Sequence, residues 1–461
     1  MKEYDLVIIG SGAAGEKAAI HATFHGFKVA IVERRTMLGG ATVNTGTIPS
    51  KTLKETAIYL SGFYEKGRYG VDRELSHAAD AKDFLFRERQ VVSEESGDIR
   101  NELLKERVDI FEGVASFLDA NRIFVRGESS TEELQGRFIL IATGSYPAHP
   151  DGIPFDGKRV HDSDTILSIE KFPESLCIVG AGVIGCEYAT TFATMGCKVK
   201  LVNSHATLLP FLDGEIVQCL VENMEKIGIE VMPNVHIDSV RIDGTRVLAG
   251  VAGGGEIEAE MFLYAAGRNG NVEDLNLDRI GLKATPRECI EVDDEYRTAV
   301  PSVFAVGDVI GFPALGSTSM DQGRVAVTHM FGLHDAERIA SEYPFGIYTI
   351  PEASMIGLSE EKAKEKGLDY GTARCDYSEI PRGIIKAFGT GFLKLVYERP
   401  SLRVVGVHVI GRHATEIIHY GMEVVERGGT VTEIVGTIFN FPTLHELYKY
   451  AAYRAWLKES R

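Results

Sequence analysis

The sequence predicts an α/β protein built on two copies of one strand–helix–strand unit. A glycine-rich turn lies between an apolar strand and a small-residue helix, and the same turn recurs 170 residues later. Each copy closes with a second apolar strand, so the offset holds through the whole unit. One such match carries little weight, but two in the same context indicate a duplication. The glycines of the two turns are Gly10, Gly12 and Gly15, and Gly180, Gly182 and Gly185.

The glycine spacing of each turn suits a backbone that approaches a pyrophosphate. The first glycine makes the tight turn, the second lets backbone N–H groups come close to the phosphates, and the third lets helix and strand pack closely. The positive end of the following helix then faces the phosphates. Two such units predict two bound dinucleotides.

The residue that ends each second strand distinguishes the two dinucleotides. Glu33 can accept hydrogen bonds from ribose hydroxyls and repels a 2′-phosphate, so the first unit suits FAD or NAD and not NADP. Asn203 holds the equivalent position without a charge, which permits NAD or NADP. Asn203 is equally well explained as the end of a strand, because residues 204–206 offer no Arg or Lys to hold a phosphate.

A second repeated pattern supports the duplication. Residues 138–144 resemble residues 261–267, and each segment is a buried-strand pattern that ends in a small-residue turn. The first turn contains Thr143 and Gly144, the second contains Gly267, and we expect all three to contact a bound nucleotide. We expect each segment to return the chain from one nucleotide unit to the other, which makes the first domain discontinuous.

Length, charge and cysteine content narrow the class of protein. A chain of 461 residues suggests about three packed units. The formal net charge of −17 disfavours nucleic acid or an anionic membrane as a partner. The six cysteines show no Cys-x-x-Cys spacing, and no segment approaches the roughly 18 unbroken apolar residues of a membrane helix. We therefore expect a cytoplasmic protein that does not insert into a membrane.

Two further segments give the chain a resemblance to a known family. Residues 39–51 read GGATVNTGTIPSK, and residues 298–308 read TAVPSVFAVGD. Both resemble the pyridine nucleotide-disulfide oxidoreductases, and the resemblance extends over essentially the whole chain. It implies an FAD site at the first glycine turn and Glu33, with Asp308 bound to the ribitol of FAD. It also implies that residues 348–352 open a C-terminal dimerisation domain.

The predicted architecture has two Rossmann-like domains, for FAD and NAD(P), and a C-terminal α+β dimerisation domain. The FAD domain is predicted at residues 1–147 and 268–342, the NAD(P) domain at 148–267, and the dimerisation domain at 343–461. In the last domain we expect strands at residues 393–397 and 404–410, and helices at about 414–427 and 443–459. The resemblance implies a homodimer.

The chain departs from the family where the redox chemistry lies. Disulfide members carry cysteines where this chain has Thr42 and Thr47, and a threonine hydroxyl cannot form a thiolate or a disulfide. Where those enzymes carry a His-Pro base, this chain has Phe441 and Pro442. The remaining pattern resembles the soluble pyridine nucleotide transhydrogenases. That resemblance implies hydride transfer between NADPH and NAD through FAD, with NAD(H) and NADP(H) as substrates.

One charged pair is expected beside the flavin. In the family, a lysine at the position of Lys51 approaches flavin N5 and pairs with a glutamate at the position of Glu187. A buried charge needs a partner, and both members are present here. The resemblance therefore implies that Lys51 and Glu187 are catalytic. It also places Thr42 and Thr47 at the flavin, and no metal site is predicted.

Three nearby residues have structural explanations. Thr443, followed three residues later by Glu446, matches a capping box, so we expect Glu446 to cap the last helix. His445 is expected on the surface of that helix. Cys186, beside Glu187, is expected to be a small core residue.

Two other functions share these motifs. A quinone reductase or diaphorase would use the same cofactor sites and pass electrons to a quinone. A flavoprotein subunit of a larger complex would keep the fold with little catalysis, and the intact second glycine turn argues against it. Asn203 favours transhydrogenation over the quinone reductase, because tolerance of both NAD and NADP is useful there.

Overall fold

A computed structural model describes residues 1–68, 79–334 and 338–460 of the chain. The first part begins with the strand, helix and strand that the first glycine turn predicts. In chain order it forms β1 (Lys2–Ile9), α1 (Ala13–Phe24), β2 (Val29–Glu33), α2 (Gly40–Asn44), α3 (Thr47–Ser61), α4 (Ala81–Lys105), β3 (Asp109–Glu112), β4 (Val114–Asp119), β5 (Arg122–Arg126), β6 (Thr131–Ile141) and β7 (Ser145–Pro147).

The middle part repeats the strand–helix–strand order around the second glycine turn. It forms β8 (Val160–Asp162), β9 (Ser175–Val179), α5 (Val183–Thr194), β10 (Lys198–Asn203), α6 (Gly214–Lys226), β11 (Glu230–Pro233), β12 (Ile237–Asp243), β13 (Arg246–Val251), β14 (Glu256–Ala259) and β15 (Met261–Tyr264). The chain then continues through β16 (Arg268–Gly270), β17 (Val303–Ala305) and α7 (Gly316–Phe331).

The C-terminal part combines strands and helices, as predicted. It forms β18 (Phe345–Ile347), β19 (Ala353–Gly357), α8 (Glu360–Glu365), β20 (Tyr370–Asp376), α9 (Pro381–Ile385), β21 (Phe392–Glu398), β22 (Val404–Ile410), α10 (Ala414–Glu426), α11 (Val431–Gly436) and α12 (Glu446–Glu459). The predicted end of this region, residue 461, lies outside the described residues.

The first glycine turn follows β1, the central strand of a sheet with the order β3-β2-β1-β6-β5-β4. β1 pairs in parallel with β2 and β6, and β17 adds to β6 on the same sheet. Leu6, Val7 and Ile8 are fully buried, as expected for a parallel strand that is covered on both faces. The turn therefore lies at the carboxyl ends of the parallel strands.

The second glycine turn has the same place in a second sheet. Its strand order is β11-β10-β9-β15-β8, and all of its pairs are parallel. β15 lies beside β9 as β6 lies beside β1, so the two repeated strand patterns occupy equivalent positions. The structure confirms the repeated unit. Helices α3 and α5, one from each part of the chain, contact each other.

The C-terminal sheet is antiparallel, with the order β18-β19-β22-β21-β20. Helix α10 packs on β22 and β19, and α12 packs on β20. The predicted strands and the helix near residues 414–427 match β21, β22 and α10 closely. No helix among the described residues combines the length and apolar character that a bilayer crossing requires.

The predicted start of the last helix is wrong. Helix α12 begins at Glu446, with His445 at the N-cap and no side-chain cap. The Thr443 hydroxyl donates a hydrogen bond backwards to the Asn440 carbonyl oxygen at 2.8 Å, so Thr443 does not take part in a capping box. Glu446 is buried and its Oε2 atom has no hydrogen-bond partner in the described part of the chain. It therefore does not cap the helix.

Candidate functional site

The two glycine turns have matching backbone geometry. Gly10 and Gly180 have φ angles of +106° and +105°, in the left-handed region that favours glycine. A Cβ atom on Gly15 would clash with the Gly10 carbonyl oxygen, and a Cβ atom on Gly185 would clash with the Gly180 carbonyl oxygen. The third glycine of each turn is thus required for close packing of helix and strand.

The second glycine of each turn starts a helix. Gly12 is the N-cap of α1 and Gly182 is the N-cap of α5, and neither helix has a side-chain cap. A Cβ atom on Gly182 would meet no other atom within 4 Å, so open space lies beside the start of α5. Helix N-termini of this kind present free N–H groups and positive partial charge to an anion. Both turns therefore suit a phosphate group.

A cavity of about 350 Å³ lies at the first turn. Pockets for small ligands typically enclose about 300–1,000 Å³. Its wall includes five predicted cofactor residues, Gly10, Gly12, Glu33, Thr143 and Gly144. The Thr143 hydroxyl is buried and has no hydrogen-bond partner within the described ranges. A buried hydroxyl without a partner beside a glycine-lined wall fits a polar ligand such as a dinucleotide, which would supply the missing contact.

Glu33 fixes the first turn and faces the same cavity. Its Oε2 atom accepts hydrogen bonds from the Ser11 backbone N–H at 3.0 Å and from the Ser11 hydroxyl at 2.7 Å. Its Oε1 atom accepts from the Arg35 N–H at 3.0 Å. Each carboxylate oxygen can accept more than one hydrogen bond. Glu33 can therefore hold the turn and still accept from a ribose hydroxyl.

Asp308 is connected to the cavity through Ser145. The Ser145 hydroxyl donates to Asp308 Oδ2 at 2.7 Å, and Ser145 itself lies in the cavity wall. Arg268 donates from Nε to Ser145 Oγ at 2.8 Å and from its terminal nitrogen to the Ser145 carbonyl oxygen at 2.9 Å. Because Arg268 occupies a lone pair of the hydroxyl oxygen, the hydroxyl proton is directed to Asp308. Sequence reasoning missed Arg268, although it directly follows the predicted turn residue Gly267.

Lys51 and Glu187 form the predicted ion pair. Lys51 Nζ lies 2.6 Å from Glu187 Oε2, and the Glu187 side chain is buried. The backbone N–H of Tyr348 donates to Glu187 Oε1 at 2.9 Å, so both carboxylate oxygens have partners. Lys51 Nζ also lies 4.8 Å from the centre of the Tyr348 ring. The ammonium is held in one place by a carboxylate and an aromatic face.

Comparison with known families settles the class of this chain. Residues 4–328 match the pyridine nucleotide-disulphide oxidoreductase family, and residues 343–452 match its dimerisation domain. The chain belongs to the pyridine nucleotide-disulphide oxidoreductase family. It is an FAD-dependent oxidoreductase with a pyridine nucleotide as substrate. The predicted family, fold class and cofactor are confirmed.

Both the relatives and the solved structures match this chain along nearly its whole length. A protein named soluble pyridine nucleotide transhydrogenase from Mycobacterium bovis is 42% identical over 98% of this chain and 97% of its own. A protein of the same name from Hahella chejuensis is 39% identical over 97% of both chains. The crystal structure of LpdA from Mycobacterium tuberculosis has a TM-score of 0.91 at 25% identity, and covers 99% of this chain and 100% of that chain.

A second solved structure is the HOCl-induced flavoprotein disulfide reductase RclA from Escherichia coli. It has a TM-score of 0.87 at 25% identity, and covers 98% of this chain and 99% of that chain. The family resemblance predicted Thr42 and Thr47 at the positions of the redox cysteines of disulfide members. Thr42 lies half-buried in α2, and Thr47 is the exposed first residue of α3.

The cysteines of this family member lie elsewhere and are all free. Cys186 is fully buried, as predicted for a core residue, and burial raises the pKa of its thiol well above the ordinary value. A thiol in such a place stays protonated and unreactive. Within the described residues, no group of His, Cys, Asp and Glu side chains could hold a metal ion.

Asn203 ends β10 and fixes the following loop. Its side-chain amide donates to the His205 carbonyl oxygen at 2.9 Å and to the Thr207 carbonyl oxygen at 3.0 Å. Both amide protons are thus used, and the Oδ1 atom remains as an acceptor. The sequence left two explanations for Asn203, the end of a strand and contact with a nucleotide. The structure shows Asn203 at the end of a strand, and its remaining Oδ1 atom is compatible with a nucleotide contact.

Proposed function

We propose that the protein is a pyridine nucleotide transhydrogenase that transfers hydride between NADPH and NAD⁺ through FAD, without a redox disulfide. One observation carries the proposal: the Lys51–Glu187 ion pair joins α3 to α5, the helix that starts at the second glycine turn. The family resemblance adds that Thr42 and Thr47 stand where disulfide members carry their redox cysteines. The names of the relatives at 42% and 39% identity support it.

The geometry suggests which residues hold each nucleotide. When bound, FAD supplies a two-electron acceptor and donor at its N5 atom. We assign the first turn, its cavity and the Ser145–Asp308 contact to FAD, and the second turn and its strand ends to the nicotinamide nucleotide. The FAD residues are Gly10, Gly12, Gly15, Glu33, Thr42, Thr47, Lys51, Thr143, Gly144 and Asp308, and the nicotinamide nucleotide residues are Gly180, Gly182, Gly185, Asn203 and Gly267.

Lys51 is proposed to supply positive charge where negative charge develops during hydride transfer. Glu187 holds the ammonium and is itself oriented by the Tyr348 N–H, so little reorganisation is needed at the moment of transfer. The reaction NADPH + NAD⁺ → NADP⁺ + NADH moves one hydride and no net proton. A general base is therefore unnecessary, and Phe441 can stand where related enzymes carry a histidine.

Asn203 is proposed to favour NAD(H) over NADP(H) without excluding the latter. Its remaining hydrogen-bonding atom is an acceptor, which suits a ribose hydroxyl better than a 2′-phosphate. Because Asn203 is uncharged, the penalty for a 2′-phosphate is smaller than a carboxylate would impose.

We also propose the three-domain division at residues 147/148, 267/268 and 342/343, a homodimer and a cytoplasmic location. The match of residues 343–452 to a dimerisation domain supports the homodimer, as do the exposed apolar side chains of Ile438 and Phe441. The free cysteines are consistent with a reducing compartment.

A comparison of electron acceptors tests the function. The purified yellow protein would be mixed anaerobically with NADPH and one electron acceptor. The acceptors, each in its own reaction, are thio-NAD⁺, a soluble quinone and oxidised lipoamide. We expect rapid formation of thio-NADH and no turnover with lipoamide. Turnover with the quinone alone would replace the proposal with a quinone reductase, and lipoamide turnover would contradict the absence of dithiol chemistry. Failure of both NADPH and NADH to reduce the flavin would indicate a non-catalytic flavoprotein subunit.

A further inference from the structure

A second lysine lies one turn after Lys51 on α3 and is paired in the protein interior. Lys54 is 3% exposed, and its Nζ atom lies 2.5 Å from Oε1 of Glu352, which is 6% exposed. Burial alone would lower the pKa of Lys54, but the charges of Glu352 and of the neighbouring Glu55 offset it, so the pKa lies above its ordinary value. Lys54 is therefore charged, although it is buried beside Glu352.

Glu352 has its remaining oxygen fully engaged. Its Oε2 atom accepts from the Thr415 hydroxyl at 2.9 Å and from the Thr415 backbone N–H at 3.3 Å. Glu352 precedes β19, and Thr415 lies in the first turn of α10, so the carboxylate is fixed to the C-terminal sheet and its helix. The ion pair thus attaches α3 to the C-terminal part of the chain.

The segment of residues 348–352 also binds α5, the helix that carries Glu187. Tyr348 N–H donates to Glu187, and Ile350 N–H donates to the Thr190 hydroxyl at 3.2 Å, so the segment is bound to α5 at two points one turn apart. The Tyr348 ring lies 4.8 Å from Lys51 Nζ and 5.9 Å from Lys54 Nζ. One short segment therefore contacts both members of the Lys51–Glu187 pair and is fixed to α3 by Lys54.

We propose that the buried Lys54–Glu352 ion pair positions the Lys51–Glu187 pair, by holding the segment of residues 348–352 between α3 and α5. Lys54 and Glu352 are positioning residues, since they act through Tyr348 and the direction of α3. The proposal rests on the proposed role of Lys51 in hydride transfer. A buried ion pair adds little stability relative to apolar side chains of similar size, so fixing orientation is the role that we assign to this pair.

The test removes both charges together, so that neither is left buried alone. The double variant Lys54→Met/Glu352→Leu would be compared with wild type for FAD content, thermal midpoint, flavin midpoint potential and the rate of flavin reduction by NADPH in stopped flow. We expect normal FAD content and a rate lower by about tenfold to a hundredfold with KM unchanged, because small displacements of a positioned group have effects of this size. The potential should become more negative, because the ammonium of Lys51 would stabilise the reduced flavin less well.

Three controls separate the explanations. Lys54→Arg keeps a charge that can pair with Glu352 and should retain most of the rate. Lys171→Met removes a lysine from an exposed ion pair with Glu260 and should change nothing. Lys51→Met should lower the rate and the potential directly. A wild-type rate and potential in the double variant would overturn the positioning role. If Lys51→Met is also unaffected, the proposed role of Lys51 fails with it.

A single substitution keeps the proposal testable if the double variant does not fold. Glu352→Gln preserves shape and removes the charge, which lets Lys54 turn towards the exposed Glu55, already 2.9 Å from its Nζ atom. We expect a smaller shift of rate and potential in the same direction. A wild-type rate and potential in this variant would contradict the proposal as well.

Discussion

Lys51 Nζ and Glu187 Oε2 lie 2.6 Å apart, and this ion pair joins helix α3 to helix α5. Lys51 projects from α3, next to the first glycine unit, and Glu187 projects from α5, which starts at the second glycine turn. This contact places the positive charge of Lys51 at the junction between α3 and α5, where the two proposed dinucleotides would meet. The proposed chemistry depends on this junction more than on any other contact.

Replacing Lys51 with Met should slow flavin reduction strongly. The variant leaves Glu187 buried without its cation and removes the charge that we propose stabilises the reduced flavin, so we expect a loss on the order of a hundredfold. Stopped-flow absorbance with NADPH or NADH measures it. An unchanged rate would remove Lys51 from the mechanism.

The third glycines should separate the two nucleotide sites. Gly15→Ala should yield protein without FAD, because the Cβ atom would clash with the Gly10 carbonyl oxygen. Gly185→Ala should retain FAD that NADPH cannot reduce, because the equivalent clash lies at Gly180. Gly97→Ala is the matched control, since a Cβ atom there meets no other atom within 4 Å. FAD absorbance and flavin reduction report the results, and FAD loss in Gly185→Ala alone would reverse the assignment of the two sites.

Ser145→Ala should weaken FAD binding. The substitution removes the donor to Asp308 Oδ2 and leaves Arg268 Nε without its acceptor, and unpaired polar groups of this kind cost about 1–3 kcal/mol. We expect the dissociation constant of FAD to rise by about tenfold, as measured by fluorescence titration of the apoprotein. Ser302→Ala removes a hydroxyl that bonds to Ala120 and serves as the control. Equal FAD affinity in Ser145→Ala and Ser302→Ala would exclude a role for the Ser145–Asp308 hydrogen bond in FAD binding.

Alkylation of cysteines should leave hydride transfer intact. Burial raises the pKa of Cys177 and Cys197 to about 12, which keeps both thiols protonated at neutral pH. Cys219 and Cys289 are partly exposed, and iodoacetamide should label them first. We expect an unchanged transhydrogenation rate in labelled protein, quantified by mass spectrometry. Inactivation in step with the labelling of one cysteine would reveal a catalytic thiol.

Asn203→Asp should discriminate against NADPH. A carboxylate at this position repels a 2′-phosphate, whereas NADH carries only a hydroxyl there. The ratio of flavin reduction rates with NADH and NADPH is an internal control for any change in the loop after β10. We expect this ratio to rise about tenfold, and an unchanged ratio would place the 2′-position away from Asn203.

The sequence was sufficient to predict the glycine turns because their requirements are local. Gly10 and Gly180 need positive φ angles, and no other residue type meets that need as easily. The Lys51–Glu187 pair came from family resemblance, because no local pattern indicates a contact between residues so far apart in the chain. For the same reason, the sequence did not predict that Arg268 contacts Ser145, or that Lys54 contacts Glu352, 298 residues away.

The last helix shows the opposite failure, in which a local pattern was present and misleading. Thr443 and Glu446 have the spacing of a capping box, yet the threonine hydroxyl bonds to the preceding turn. Local side-chain bonds of this kind compete with helix capping, and sequence spacing alone does not decide between them.

The central claim is tested most directly by counting electrons in an anaerobic titration. Without a redox disulfide, one equivalent of NADPH per FAD should bleach the flavin completely. A following equivalent of thio-NAD⁺ should restore the yellow colour and yield one thio-NADH. A requirement for two equivalents of NADPH would reveal a second two-electron centre, and a flavin that stays bleached with thio-NAD⁺ would contradict transhydrogenation.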